Sequence, residues 1–206
     1  KLIKLRSGGA VSRMFACKLS KLQFGDIMDS GKILLVDLSR LGEETRGFLG
    51  SFILTLFLLA AMARTNRTLG TPTKRFSIYA DEGHTFVSTD AFEKLIAQAR
   101  KFDVDLVVAS QYLNQFSKSQ KDGLFTTGST IIGRVDFADA TILAKNLQGK
   151  ISISAEDLAR LPEFEMAARI GTEVVRFKID KLADPSPEVA AEATATIIEQ
   201  SRRAYY

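Results

Sequence analysis

"RFSIYADEGHTF", residues 75–86, is a short apolar run that ends in two adjacent carboxylates, Asp81 and Glu82, followed by Gly83 and the only histidine of the chain, His84. The run 76–80 reads as a buried strand, and "VDLVVAS", residues 104–110, reads as a second. Between them "STDAFEKLIAQARKF", residues 88–102, repeats Phe92, Leu95, Ile96 and Ala99 at helical spacing, after an Asp90 cap with Glu93 three residues on. A strand, helix, strand unit of about 35 residues crosses over right-handed, so the two strands are expected to be parallel.

Further runs extend the pattern on both sides. "KILLVDLS", 32–39, framed by Gly31 and Gly42, predicts a strand covered on both faces, with a long helix over 44–64. Downstream, 114–128 reads as a polar surface loop with one helical turn, "STIIGRV" (129–135) as a fourth strand and "ADATILAKNL" (138–147) as a helix. "SAEDLARL" (154–161) is a short helix with Ser154 and Asp157 at capping-box spacing. "EFEMAARI" and "EVVRFKID" flank Gly171 and Thr172 as a hairpin, and Ser186-Pro187-Glu188 starts a last helix that runs to Arg203. The alternation predicts an α/β fold: a mainly parallel sheet with helices on both faces, a terminal β-hairpin and a C-terminal helix. The divisions are 1–30, a basic lead-in; 31–182, the main domain; and 183–206, helix and tail.

The chain has 206 residues, 46% hydrophobic and 25% charged, which suits one compact domain with a real core. Its formal charge is +4, and Lys1, Lys4, Arg6, Arg13, Lys18 and Lys21 all precede the first acid, Asp26. Such an arm suits nucleic acid or anionic lipid, beside the plainer reading of a solvated flank. Cys17 is alone, which excludes an internal disulfide framework and points to a reducing compartment. "FLGSFILTLFLLAAMA", 48–63, is shorter than the about 20 apolar residues of a membrane span and lies between Arg46 and Arg64. It is expected to be a helix buried on nearly all sides. No secretory signal opens the chain, and Lys1 in place of Met reads as a piece of a longer polypeptide.

Ligands of open parallel sheets bind beyond the carboxyl ends of the strands, where Asp81-Glu82 and Ser110-Gln111 are both expected. In nucleoside triphosphatases an Asp at such an end holds the Mg²⁺ shell and a Glu polarises the attacking water, while a Gln on the next strand hydrogen-bonds the γ-phosphate. The plainer alternative is that the two acids cap the turn that follows.

Four blocks in order, "GKILLVDLSRLGEETRGFLGSFIL", "FSIYADEGHTF", "AQARKFDVDLVVASQYLNQF" and "STIIGRVDFADATILAK", resemble the later part of the motor domain of type IV coupling proteins, the TraG/TraD-type ATPases of conjugation within the HerA/FtsK-like group. The resemblance covers roughly residues 20–180. It implies a RecA-like P-loop fold, a homo-hexameric ring, ATP and Mg²⁺ as cofactors, and DNA, single-stranded in conjugation, driven through a pore. It also implies relaxosome or secretion-channel partners and a cytoplasmic protein held at the inner membrane by upstream segments. Asp81 and Glu82 match the Walker B pair, with Asp81 reaching the metal through water, and Gln111 matches the γ-phosphate sensor. Arg100 matches an arginine that enters the neighbouring subunit's site. A helix over 90–101 is about 18 Å long and carries Arg100 away from its own Asp81, so the role is possible only in trans. A cation at a helix C-terminus explains Arg100 equally well.

One departure matters. No G-x-x-x-x-G-K-[ST] occurs: Gly31-Lys32 is followed by Ile33, and Gly149-Lys150 by Ile151. Without that cradle the chain alone is expected to hydrolyse ATP poorly or not at all. Lys118 and Lys121, near Asn114 and Gln115, are the candidates for a DNA-gripping loop, against a plain solvated loop. His84 reads as a loop histidine, with a link between γ-phosphate and DNA as the sharper alternative. Arg134 and Asp139 are expected to form an ion pair at the sheet edge. Arg46 stands either near a phosphate or at the surface of the first helical turn. The last helix is expected to dock on the domain. The rival readings are a HerA-type translocase of double-stranded DNA, a protein-secretion ATPase, or a non-catalytic RecA-like scaffold.

Overall fold

The computed structural model describes residues 12, 15, 16, 18–64, 73–86, 90–149 and 151–205. Lys1, Lys4, Arg6, Arg13 and Cys17 lie outside the described residues. In chain order the helices are α1 (Phe24–Ser30), α2 (Glu43–Ala63), α3 (Asp90–Gln98), α4 (Lys118–Phe125), α5 (Phe137–Ala144), α6 (Ala155–Ala159) and α7 (Pro187–Tyr205). The strands are β1 (Phe76–Ala80), β2 (Val104–Val108), β3 (Ser129–Ile132), β4 (Glu165–Ile170) and β5 (Glu173–Lys178).

β1 and β2 pair in parallel, Phe76 opposite Val104 through Ala80 opposite Val108, as the crossover requires. Their inward side chains Ile78 and Val104 join Leu54, Phe57, Leu58 and Ala61 of α2 and Phe92 and Leu95 of α3 in one core. Ser77, Tyr79 and Val107 point the other way and are exposed. A second core lies under the antiparallel sheet β3-β4-β5, where Ile132, Ala167 and Val174 meet Leu143, Leu147, Ile153, Leu158 and Leu161. The hairpin turns at Gly171, whose φ of +60° suits a residue without Cβ. The segment after β2 joins the two cores: Phe116 is buried in the first, while Leu113 and Phe125 pack on the second.

Four expectations change. Residues 32–38 form no strand: Ile33 and Leu35 are 87% and 68% exposed, and only Leu34 packs on the core. A groove of about 900 Å³ separates this segment from β1. Asp37 closes the run in a turn by accepting the N–H (2.9 Å) and hydroxyl (2.6 Å) of Ser39, which hold its carboxyl below the usual range. α2 is long and apolar enough to cross a membrane, yet 33% of its most apolar window is buried rather than nearly all. Leu49, Leu54, Phe57, Leu58 and Ala61 face the core, whereas Phe48, Phe52, Leu59 and Met62 are exposed. An all-apolar helix carries no asymmetry that tells which side finds cover.

The stretch 114–128 is more ordered than a loop. Ser117 and Gln120 form a capping box that starts α4. Lastly, α7 starts at Pro187 as expected but does not dock: no residue of it is buried, and Val189, Ile197 and Ile198 are exposed. Its apolar side is rich in alanine, which offers too little area to offset the loss of freedom on docking.

Arg64, just past the end of α2, is 7% exposed and ties the first core together. It donates to Phe102 O (2.6 Å), Lys74 O (3.0 Å) and Asp29 Oδ1 (2.9 Å). Removing it leaves the buried Phe102 carbonyl without this donor and takes the guanidinium away from the Asp29 carboxylate, at a cost of about 3 kcal/mol or more. Arg64→Met is therefore expected to lower the urea midpoint of the chain sharply, and Arg64→Lys, which keeps the charge but not the planar fork, to recover only part of it.

Candidate functional site

The ladder between β1 and β2 continues past the strands. Ala109 N–H donates to Ala80 O (3.0 Å) and Gly83 N–H donates to Ala109 O (2.9 Å), which folds the acidic turn back over the end of β2. Asp81 Oδ1 accepts the N–H of Glu82 (2.9 Å), and Glu82 itself sits in the left-handed region at φ +47°. Turning so tightly needs Gly83: a Cβ there would lie 2.4 Å from Val108 Cγ1.

The turn residues Gly83–Thr85 and Phe86 rest on α2. A Cβ on Gly50 would lie 2.1 Å from the Phe86 ring, one on Gly47 would meet Thr85 O at 3.1 Å, and Ser51 Oγ donates to Phe86 O (3.3 Å). Gly47, Gly50 and Ser51 share one helix face and make a notch for the loop. Sequence reasoning gave Gly47, Gly50 and Ser51 no part in the site. The usable signal was the three-and-four spacing of small residues in an otherwise bulky apolar helix.

Arg46, in the first turn of α2, places Nη1 3.4 Å from Glu82 Oε2 and donates from Nη2 to Leu41 O (3.3 Å). Its Nε is buried without a partner. Arg46 thus sits over the Glu82 carboxylate rather than standing free at the surface. The pair is half-exposed and contributes little to stability.

Gln111 follows the end of β2, on the same sheet edge as Asp81 and Glu82. Neighbouring Ser110 Oγ donates to Gln115 Oε1 (2.9 Å) and Tyr112 O (3.3 Å). Asp81 and Glu82 line the groove beside β1, while Ser110 and Gln111 line a second cleft of about 590 Å³ that also reaches Gly133, Arg134 and Asp136 beyond β3. His84 meets the buried Phe116 edge-on, with ring centroids 6.2 Å apart, and its Nδ1 is buried without a partner. The histidine thereby joins the acidic turn to the loop that follows Gln111.

The ion pair expected between Arg134 and Asp139 is not formed. Asp139 is 2% exposed, and its Oδ2 accepts the N–H of Leu113 (2.9 Å), while Oδ1 is buried without a partner. A buried carboxylate that caps a backbone donor pins the Gln111 loop to α5 instead. Arg100 stands exposed in the turn Ala99–Phe102, at the amino end of β2. The five-residue strand, about 3.3 Å per residue, separates it from Gln111. Lys118 and Lys121 lie in the first turn of α4, with Lys121 Nζ donating to Asn114 Oδ1 (3.3 Å). Among the described residues no group of three His, Cys, Asp or Glu side chains could hold a metal by itself.

No protein-family model and no curated protein matches the chain. Solved structures do. TrwB, a bacterial conjugative coupling protein, superposes with a TM-score of 0.53 at 12% identity, over 66% of this chain and 38% of TrwB. VirB4 of Thermoanaerobacter pseudethanolicus gives 0.51 at 18% identity, over 74% and 41%. The genome packaging NTPase B204 of Sulfolobus turreted icosahedral virus 2, in complex with AMPPCP, gives 0.53 at 13% identity, over 86% and 80%. The fold is RecA-like. This RecA-like chain spans about two fifths of the TrwB and VirB4 chains, but most of B204.

The notch and the tight turn give a direct test. Gly83→Ala is expected to destabilise the chain by about 1–3 kcal/mol, because Val108 lies in a strand that cannot retreat. Gly123→Ala, in α4 with open space around it, is expected to stabilise by about 0.4–1 kcal/mol. Denaturant midpoints of the two variants should move in opposite directions.

Proposed function

We propose that this chain is the part after Walker A of an ATP-driven DNA translocase of the conjugative coupling-protein type. The observation that carries the reading is the Asp81-Glu82 turn, held at the carboxyl edge of a parallel pair by Gly83 and the α2 notch, in a chain with a RecA-like fold. Sequence block order adds the coupling-protein character. Within that reading Glu82 is the general base, which takes a proton from the attacking water as it meets the γ-phosphate. The Arg46 guanidinium, 3.4 Å from Glu82 Oε2, holds the carboxylate in place until substrate competes for it. Gln111 is the sensor of the γ-phosphate, and Arg100, at the far end of β2, serves a neighbouring copy in a homo-hexamer.

Asp81 suits magnesium: Oδ1 is engaged by Glu82 N–H, and Oδ2, which has no hydrogen bond among the described residues, could meet an ion that keeps several waters and takes few protein ligands. When bound, Mg²⁺ would neutralise charge on the β- and γ-phosphates. The phosphate cradle, absent from the 206 residues, would come from a segment outside them. The cargo would be DNA, single-stranded in conjugation, with relaxosome or secretion-channel components as partners. Action at the cytoplasmic face of the inner membrane would depend on segments outside this chain. A second reading is a translocase of double-stranded DNA; the likeness to B204, a genome packaging NTPase of which the chain covers 80%, supports a nucleotide-driven motor outside conjugation.

ATP turnover by the longest protein extended upstream of Lys1 is expected to rise with single-stranded DNA, and Glu82→Gln to cut it by about 10²–10⁴-fold. Stimulation by duplex alone would favour the second reading. No turnover in a folded protein that contains a Walker A loop would leave a scaffold. In the same protein, Lys118→Ala with Lys121→Ala is expected to reduce the slope of log affinity against log salt for single-stranded DNA by about 1.4. An unchanged slope would remove these lysines from the DNA path.

A further inference from the structure

β3 belongs to the antiparallel sheet and not to the β1-β2 pair, yet the residues that follow it border the cleft that Gln111 lines, and they have no assigned role. β3 stops at Ile132, and Arg134 follows after Gly133 just as Gln111 follows β2. Arg134 is exposed and makes no hydrogen bond or ion pair among the described residues. It lines the cleft of about 590 Å³ opposite Ser110 and Gln111. That size falls in the range of small-ligand sites, about 300–1,000 Å³. Its walls present the Arg134 guanidinium and the Gln111 carboxamide, two donor groups that favour an anionic oxygen cluster over an apolar ligand.

The one carboxylate in the cleft is already engaged. Asp136 Oδ1 caps α5 by accepting the N–H of Ala138 (2.9 Å) and of Asp139 (3.0 Å), so its charge is answered by the helix end. Across the cleft, the buried Asp139 bonds Leu113 N–H and fixes how far the Gln111 loop stands from α5, the helix that begins three residues after Arg134. Gly133 is held close too: a Cβ there would lie 3.3 Å from Met166 Sδ. Both walls are therefore set before any ligand arrives, which is the condition for geometric selection among anions.

We infer that Arg134 binds the terminal phosphate of a nucleoside triphosphate together with Gln111, across the cleft between the ends of β2 and β3. The inference rests on the nucleotide-motor reading above and adds a cation from the segment after β3 of the same chain. It separates triphosphate from diphosphate, because only the former brings a third phosphate to the cleft. It also supplies a reason for the buried carboxylate of Asp139, which keeps the two phosphate contacts in register.

The test uses the longest upstream-extended protein and two fluorescent probes, methylanthraniloyl-ATPγS and methylanthraniloyl-ADP, read by anisotropy. Arg134→Ala is expected to weaken the triphosphate probe roughly 10- to 100-fold, the range for loss of a charged hydrogen bond, and to leave the diphosphate probe unchanged. Arg134→Lys should recover part of the loss. The urea midpoint should not move, since the side chain is exposed and unpaired. Equal binding of the triphosphate by wild type and Arg134→Ala would overturn the inference while the motor reading stands. Equal weakening of both probes would also overturn it. Failure of the folded wild type to bind either probe would remove the nucleotide reading and the inference together.

Discussion

The buried guanidinium of Arg64 is the joint on which the first half of the molecule depends. Its planar fork reaches the end of α1 through Asp29, the entry to β1 through Lys74 O and the entry to β2 through Phe102 O. A helix as apolar as α2 could slide along its neighbours with little change in buried area. A directed set of donors at its end fixes its depth against the sheet, and packing alone gives no such register. Everything at the far edge follows from that register, because Gly47, Gly50 and Ser51 can receive the acidic loop only if α2 sits at one height.

From that fixed height the acidic edge is built by close approach rather than by strong bonds. Gly83 lets the turn close over Val108, Gly50 lets Phe86 sit on the helix, and two backbone bonds extend the parallel ladder past its last residues. Glu82 is thereby held in a left-handed conformation that an ordinary loop would abandon, with Arg46 above it. The second half of the molecule has its own core and reaches this edge through a short bridge, Leu113 to Phe116. There a buried carboxylate and an aromatic edge contact replace extended packing.

Much of this was legible in the residues, for local reasons. Parallel pairing followed from two apolar runs and the helix between them, the hairpin from Gly171-Thr172, and α6 and α7 from their caps. The position of Asp81, Glu82 and Gln111 at one edge followed from where those runs stopped. What was not legible depends on cover that local pattern does not encode. Residues 32–38 have the composition of a central strand, yet Ile33 and Leu35 face solvent. The same holds for Phe48, Phe52, Leu59 and Met62 on the outer side of α2. Asp139 was read by charge, as a partner for Arg134, and its backbone role could not be seen because Leu113 is 26 positions away in the chain. The small-residue notch was visible in the spacing but had no meaning until Phe86 was placed in it.

α7 stands apart from both cores, with none of its 19 residues buried. A helix of that length without tertiary cover among the described residues is held by its own backbone bonds, its Ser186 cap and the Glu199–Arg203 pair, and such helices are marginal in water. Its amides should therefore exchange with solvent far faster than those of β1 or β2, because opening α7 disrupts neither core among the described residues. The molecule is accordingly two-speed on the timescale of hydrogen exchange. The acidic edge belongs to the slow part, and the last helix opens and closes on its own clock.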